Sequence, residues 1–521
     1  MSSRYSDNGS SSSQEARAME RAPLMAPHPP KANQLSIRTT SNNARNINIM
    51  VLTVFLSSIG FTLMMPSMYG YLNSVNPKYG DRYNGWATAI YSFGQFVASP
   101  VFGYWGNRRP TIEPVVFSLV IALIGNALYA TCSSFGQAFI PMIFLARFLV
   151  GVGAGNVAVC RAFASEKSDI SNKTQVMGKM SGAQGAGFVL GPALGFGLTY
   201  VHFYIGSLPV SKFTSPGYVS VLLGIVNIIF VVIFFRDQPS SVTPISSPVV
   251  QSINSVQDEE VVAIKKPEGP EEDRLAVYIS IYLFAVVISI FAVFESIMAM
   301  MTDKYYGWGP RANGLLMGCS GVLSLVVFFA ISTPLIKKFQ DRKMALFGFF
   351  NLFIALLFLA SYDNGPFNWE KGLPKWQLFI GAVFVSIGYP ISSSMMYAIF
   401  AKILSPKQQG TKMGWLTSGG SLARMLGPLW ATALFVDVAD DVLYLTCAGL
   451  TASAFIVLCI FYKRLAPHSD YINAQIQKDQ QQQQQDDMSH DDDYNDYIEN
   501  YNTTPHGGSI YVRDDDLSIS Q

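Results

Sequence analysis

The chain has 521 residues, of which 50% are hydrophobic, 13% aromatic and only 14% charged, with a formal net charge of +1. A soluble domain carries about 25% charged residues, and nucleic-acid binders lead with basic blocks; neither pattern is present, and so apolar a chain is not disordered throughout. The five cysteines, Cys132, Cys160, Cys319, Cys447 and Cys459, fall in or beside apolar runs, where a free thiol acts as a small hydrophobe and no structural disulfide is expected.

Residues 1–45 are Ser-rich and polar, with no early apolar core of the kind a cleavable signal needs, and read as a disordered tail. Within this tail, Glu20, Leu24 and Met25 form an acid-x-x-x-Leu-apolar motif of the type that sorting adaptors read as an address towards endosomes and lysosomes.

Twelve apolar segments follow, at 47–72, 83–105, 114–134, 138–162, 176–201, 216–235, 275–301, 312–336, 344–361, 376–401, 411–436 and 441–462. Each is too long and continuous for a strand. In hydrocarbon only helices or closed barrels satisfy the backbone, and barrel strands would alternate over about 10 residues, which these segments do not. The expected fold is therefore an all-α membrane protein of twelve transmembrane helices. Its organisation reads as a tail (1–45), a six-helix half (46–236), a polar linker (237–273), a second six-helix half (274–465) and an acidic, Gln-rich tail (466–521). Loops on the side of both tails hold seventeen Lys and Arg against seven on the other side, so the positive-inside rule places both tails and the linker in the cytosol.

An internal repeat supports two halves. Met177-Gly178 and Leu190-Gly191-Pro192 in segment five recur as Met413-Gly414 and Leu426-Gly427-Pro428 in segment eleven, at one constant offset. Gly178, Gly187, Gly191, Pro192 and Gly195 in the first copy, and Gly427 and Pro428 in the second, read chiefly as helix-packing positions, because small residues let backbones approach.

Three ionisable residues stand well inside apolar segments, away from their ends: Arg147, Glu295 and Arg424. A charge at the centre of a span costs from about 3 to above 10 kcal/mol, so each is a candidate for the transport pathway or for ion coupling. The alternative for each is structural: a carbonyl clamp, an inter-helix hydrogen-bond hub or a static ion pair. Desolvation favours the neutral acid of Glu295 and a nearby arginine its ion, so it could load and release a proton. After segment two, Arg108 and Arg109 read mainly as topology anchors, with pairing to a neighbouring helix as the alternative. Gly388-Tyr389-Pro390 in segment ten marks either a cavity-lining break or a plain kink.

Arg147 through Gly151, and Gly178 through Gly195, resemble the segment-four and segment-five motifs of the major facilitator superfamily. The loop motif of that family, G-x-x-x-D-x-x-G-[RK], departs here: Asn107, Pro110 and Thr111 stand at the Asp, the second Gly and the basic position. FLSSIGF at 55–61, GAGNVAVCR at 153–161, FAVFES at 291–296 and GWLTSGGSLARMLGP at 414–428 are similar to a lysosomal branch of the superfamily. That resemblance implies a lysosomal, multi-pass protein that transports a small solute using an ion gradient. It also admits a chloride conductance. Glu295 and Arg424 lie inside these stretches.

The function expected from the sequence is a lysosomal or endosomal secondary transporter of a small anionic solute driven by protons. Its alternatives are a chloride channel in the same fold and, lowest, a non-transporting sensor or tether. No cofactor, metal or nucleic-acid partner is expected, and no nucleophile–base pair suggests an enzyme. The expected partners are the solute or chloride, coupling protons, the bilayer and sorting adaptors.

Overall fold

A computed structural model describes residues 32–76, 79–198, 203–205, 208–236, 272–360, 373–405, 408–438 and 440–467. The sorting motif Glu20–Met25, nearly all of the 237–273 linker and all but the first residues of the 466–521 tail lie outside these residues.

The described chain is almost wholly helical. Its α-helices are α1 (Ala32–Thr62), α2 (Met65–Val75), α3 (Tyr79–Arg108), α4 (Ile112–Thr131), α5 (Phe139–Ala154), α6 (Asn156–Glu166) and α7 (Lys173–Gly197). A two-stranded antiparallel hairpin, β1 (Phe203–Ile205) and β2 (Leu208–Val210), precedes α8 (Ser215–Phe234). Then come α9 (Arg274–Tyr306), α10 (Pro310–Ser332), α11 (Asp341–Leu359), α12 (Lys375–Ile403), α13 (Gly410–Ala433) and α14 (Asp440–Ile460). Every apolar segment read from the sequence is essentially helical over its described residues. Three are broken: segment one at Leu63–Met64, ahead of Pro66, segment four at Gly155, and segment eight at Thr333, where the backbone is extended. The first helix starts at Ala32, inside the stretch read as tail. Extending an existing helix is cheap compared with nucleating one, and residues 32–45 hold neither Pro nor Gly.

Eight helical stretches among the described residues are long and apolar enough to cross a membrane. Helices α3, α7 and α13 are not among them. Their faces are diluted by Gly, Ser, Thr and Gln, and they turn out to carry the site described below.

The helices form two compact units. One comprises residues 1–245 with 410–425; the other comprises 246–409 with 426–521. In the first, α3 and α4 pack on α5, and α1 packs on α7 and α8. In the second, α11, α9 and α10 pack on α12, and α11 and α9 on α14.

Glycines set the closest crossings. A Cβ at Gly187 would stand 2.5 Å from Ser58 Cβ, and one at Gly191 would collide with Thr62 Oγ1. Thr62 Oγ1 donates to the Gly187 carbonyl at 3.0 Å, so α1 and α7 are bonded as well as packed. Gly195 approaches the Leu63 carbonyl, whereas Gly427 makes only ordinary contacts at 3.5 Å and beyond. Gly151 sits against the Tyr91 carbonyl and Gly94 against that of Phe148, which brings α3 onto α5.

Prolines inside helices leave a carbonyl four residues back without its usual N–H donor. Two such carbonyls are recovered by serines of neighbouring helices. Pro100 frees Phe96 O, which accepts from Ser418 Oγ at 2.6 Å. Pro390 frees Ser386 O, which accepts from Ser324 Oγ at 3.1 Å. Helix α12 therefore runs on through Gly388-Tyr389-Pro390, and these residues do not break it.

Ser418→Ala strands the Phe96 carbonyl, an expected loss of about 1–3 kcal/mol. Gly191→Leu overpacks the α1–α7 crossing for a similar or larger loss. Thermal unfolding of the purified protein in detergent measures both; unchanged melting points would contradict the proline-rescue and close-approach accounts.

Candidate functional site

The site is built on α1, α3, α5, α7 and the 410–425 part of α13, all within the first unit. Arg147, in the middle of α5, is fully buried. Its guanidinium carbon lies 5.1 Å from the centre of the Tyr91 ring and 5.5 Å from that of Phe61, and its Nη1 is 3.8 Å from Met64 Sδ. Among the described residues, its Nε and Nη2 groups have no hydrogen-bond partner. The arginine is held by π faces and a thioether, which accommodate a cation without neutralising it.

Phe61 and Tyr91 are stacked with centres 4.1 Å apart, and Phe61 lies 6.0 Å from Phe188. Arg424 caps the far end of this slab, with its guanidinium carbon 5.1 Å from the Phe188 ring centre. Arg424 is half-buried. The internal repeat pairs Arg424 with Phe188, and the structure puts the two in contact.

Hydrogen bonds register the slab. One turn beyond Tyr91, Gln95 donates through Nε2 to the Ala154 carbonyl at 3.2 Å, at the break between α5 and α6. Gln95 Oε1 accepts from Ser421 Oγ at 3.0 Å, one turn before Arg424. One residue thus ties the helix carrying Arg147 to the helix carrying Arg424.

A cleft of about 40 Å³ adjoins the slab and shares Phe61, Tyr91, Val150 and Ala154 with it. Its polar lining is Ser57, Asn126, Asn156, Ser220 and Asn227. The Oδ1 atoms of the three asparagines are buried without partners among the described residues. A cleft of this size holds about two or three waters.

The structure also moves a residue. Arg161, counted from sequence among the charges at the cytosolic helix ends, is buried in α6; its Nη1 donates to Ser181 Oγ at 3.2 Å and Nη2 to Gln184 Oε1 at 2.8 Å. Ser181, Gln184 and Phe188 are spaced i, i+3, i+7 along α7 and share one face. That face meets Arg161 at one end and Arg424 at the other. In the sequence of segment five the glycines, Pro192 and the repeat stand out, whereas Gln184 and Phe188 are inconspicuous in an apolar run.

Glu295 lies on α9 in the second unit. It is exposed, and among the described residues of that unit it has neither a hydrogen bond nor an ion pair. One turn earlier, Phe291 stacks on Tyr389 at 3.9 Å. The first unit thus groups Arg147 with Arg424, and Glu295 belongs to the second unit.

At the arginine-bearing end of α3, the cross-helix contact is made by Asn107 and not by the arginines. Its Oδ1 accepts from the Gly410 N–H at 2.8 Å and its Nδ2 donates to Thr411 Oγ1 at 3.0 Å. Gly103 and Gly410 touch backbone to backbone there. Arg108 lies over Tyr104 of its own helix.

The Major Facilitator Superfamily model matches residues 49–369 and 275–486. The chain belongs to the major facilitator superfamily. It is 33% identical over 475 residues to major facilitator superfamily domain-containing protein 8 of Xenopus laevis, covering 81% of this chain and 92% of the relative. Identity to the class D tetracycline resistance protein of Salmonella ordonez is 23%, over 80% of this chain and 97% of that one. Among solved structures, the human organic anion transporter MFSD10 (TETRAN) superposes with a TM-score of 0.62 at 20% identity, covering 80% of this chain and 99% of that one. The proton:xylose symporter XylE gives 0.59 at 13%, covering 82% and 97%. Members of this superfamily with solved structures are transporters, and the chain is a multi-pass membrane protein of that fold.

Asn107→Ala removes both bonds that tether the start of α13. Hydrogen exchange at Gly410–Gly414 is expected to accelerate by about tenfold, the effect of losing roughly 1–1.5 kcal/mol of local protection; an unchanged exchange rate would show that the glycine contact alone holds this end.

Proposed function

We propose that this protein is a secondary transporter of endolysosomal membranes, and that it carries a small anionic solute by alternating access driven by protons. The observation that carries the reading is the pair Arg147 and Arg424 at opposite ends of one aromatic slab. Arg147 keeps two buried N–H groups without acceptors among the described residues. Intramembrane cations cluster on substrate and ion routes, and guanidinium groups suit carboxylate and phosphate oxygens. The fold likeness to a human organic anion transporter is consistent with this. Glu295, a protonatable carboxylate inside an apolar span of the second unit, is the coupling group in this reading, as intramembrane acids are in proton-driven carriers. The endolysosomal address rests on the resemblance of the spans and on Glu20, Leu24 and Met25. No enzymatic step is proposed.

The same two arginines would serve a chloride channel, so the experiment separates the two. Full-length protein in proteoliposomes, given a pH gradient and a panel of labelled organic anions, should accumulate an anion. Glu295→Gln should abolish the pH dependence while leaving anion exchange intact. Arg424→Gln should cut flux by about tenfold or more, the loss of one charge-assisted contact. Proton coupling that survives in Glu295→Gln removes that residue from the mechanism. A large uncoupled chloride current that disappears in Arg424→Ala replaces the carrier reading with the channel.

A further inference from the structure

Four helix ends in the second unit are closed into a ring by polar contacts. Glu272, just before α9, accepts from the Ser405 N–H just after α12 at 2.6 Å. Lys402, in the last turn of α12, pairs with Asp341 at the start of α11. Arg342, next on α11, donates to the Tyr462 carbonyl at 2.9 Å beyond α14 and lies 4.7 Å from the Tyr462 ring centre. Arg464, two residues on, returns to Asp273 at 3.8 Å, and Asp273 caps α9 by accepting from the N–H groups of Leu275 and Ala276. The three acids of this plate are all engaged inside the ring.

The outer face of the plate differs from its inside. Lys337, Lys338, Lys343, Lys463 and Arg464 are exposed there. Between and beside the first two lysines, the short turn Pro334–Lys338 and its successor present Leu335, 55% exposed, and Phe339, 53% exposed. The plate lies at the ends of membrane-crossing helices, and so at headgroup level. Apolar side chains interleaved with lysines at that depth are the pattern of interfacial anchoring.

We propose that this plate is a docking surface for an anionic membrane phospholipid. Lys337, Lys338, Lys343 and Lys463 hold the phosphate groups, while Leu335 and Phe339 enter the acyl boundary. A juxtamembrane cluster of four to eight basic residues has the charge to bind a polyanionic headgroup. The ring keeps the ends of α9, α11, α12 and α14 in fixed register, so that the lysines form one surface. The acidic chain that follows residue 467 offers matching charge, but it would gain nothing from exposed Leu335 and Phe339; a bilayer lipid uses both features.

The test uses the full chain in phosphatidylcholine nanodiscs doped with phosphatidylinositol bisphosphate, with retained lipid counted by native mass spectrometry. Each lysine is expected to contribute about fivefold to retention, so Lys337→Gln alone weakens it about fivefold and the four-lysine variant more than about hundredfold. Leu335→Ser with Phe339→Ser should lower retention of the lipid while leaving binding of soluble inositol hexakisphosphate unchanged. A control carrying Lys167→Gln and Lys179→Gln, in the first unit, should retain the lipid as the unmodified protein does. Equal loss in that control overturns the proposal, because the attraction would then be diffuse. Retention of soluble inositol hexakisphosphate but not of the lipid also overturns it. So does cross-linking of the plate to Asp486–Asp493 with no lipid retained, which would make the tail the occupant.

Discussion

In a low-dielectric slab that contains no water, a polar group must find its partner within the protein. This constraint explains most of the specific contacts in the structure. The Phe96 and Ser386 carbonyls, freed by Pro100 and Pro390, are taken up by serines of neighbouring helices. Thr62 bonds the Gly187 carbonyl where glycines have brought two backbones together. Helix breaks and prolines are tolerated here because a hydroxyl or amide on the next helix stands within reach.

Arginines obey the same constraint by different means. Arg161 is anchored through both of its Nη groups, to Ser181 and Gln184. Arg147 is surrounded by ring faces and sulfur, which stabilise positive charge but leave N–H groups unspent. Both guanidinium groups are buried, and they differ in their partners rather than in their burial.

Polarity is distributed unequally among the helices, and the cluster around Arg147 and Arg424 follows it. Helices α3, α7 and α13 fall short of the apolarity expected of a span, and these three supply Tyr91, Gln95, Phe188 and Arg424. Their shortfall reflects Gly, Ser, Thr and Gln, residues that contribute close approach and hydrogen bonds in place of lipid contact. The more uniformly apolar helices α8 and α10 leave many large side chains exposed, as lipid-facing helices do.

The sequence alone determined that the chain is helical and membrane-embedded, with spans placed to within a few residues, because twenty apolar residues in succession admit few other structures. It also determined the close-packing role of Gly187 and Gly191 and singled out Arg147 and Arg424, because a charge among apolar neighbours is conspicuous in one dimension. The aromatic slab joining those arginines was not legible: Phe61, Tyr91 and Phe188 are three aromatics among many, and only crossing angles bring them together. Nor was the burial of Arg161, which reads as an end-of-helix anchor until α6 is seen to continue past it. The closed ring in the second unit and the bonds of the Asn107 amide to Gly410 and Thr411 were likewise decided by tertiary structure. Each depends on which atoms meet across helices distant in the chain, and local patterning carries no information about that.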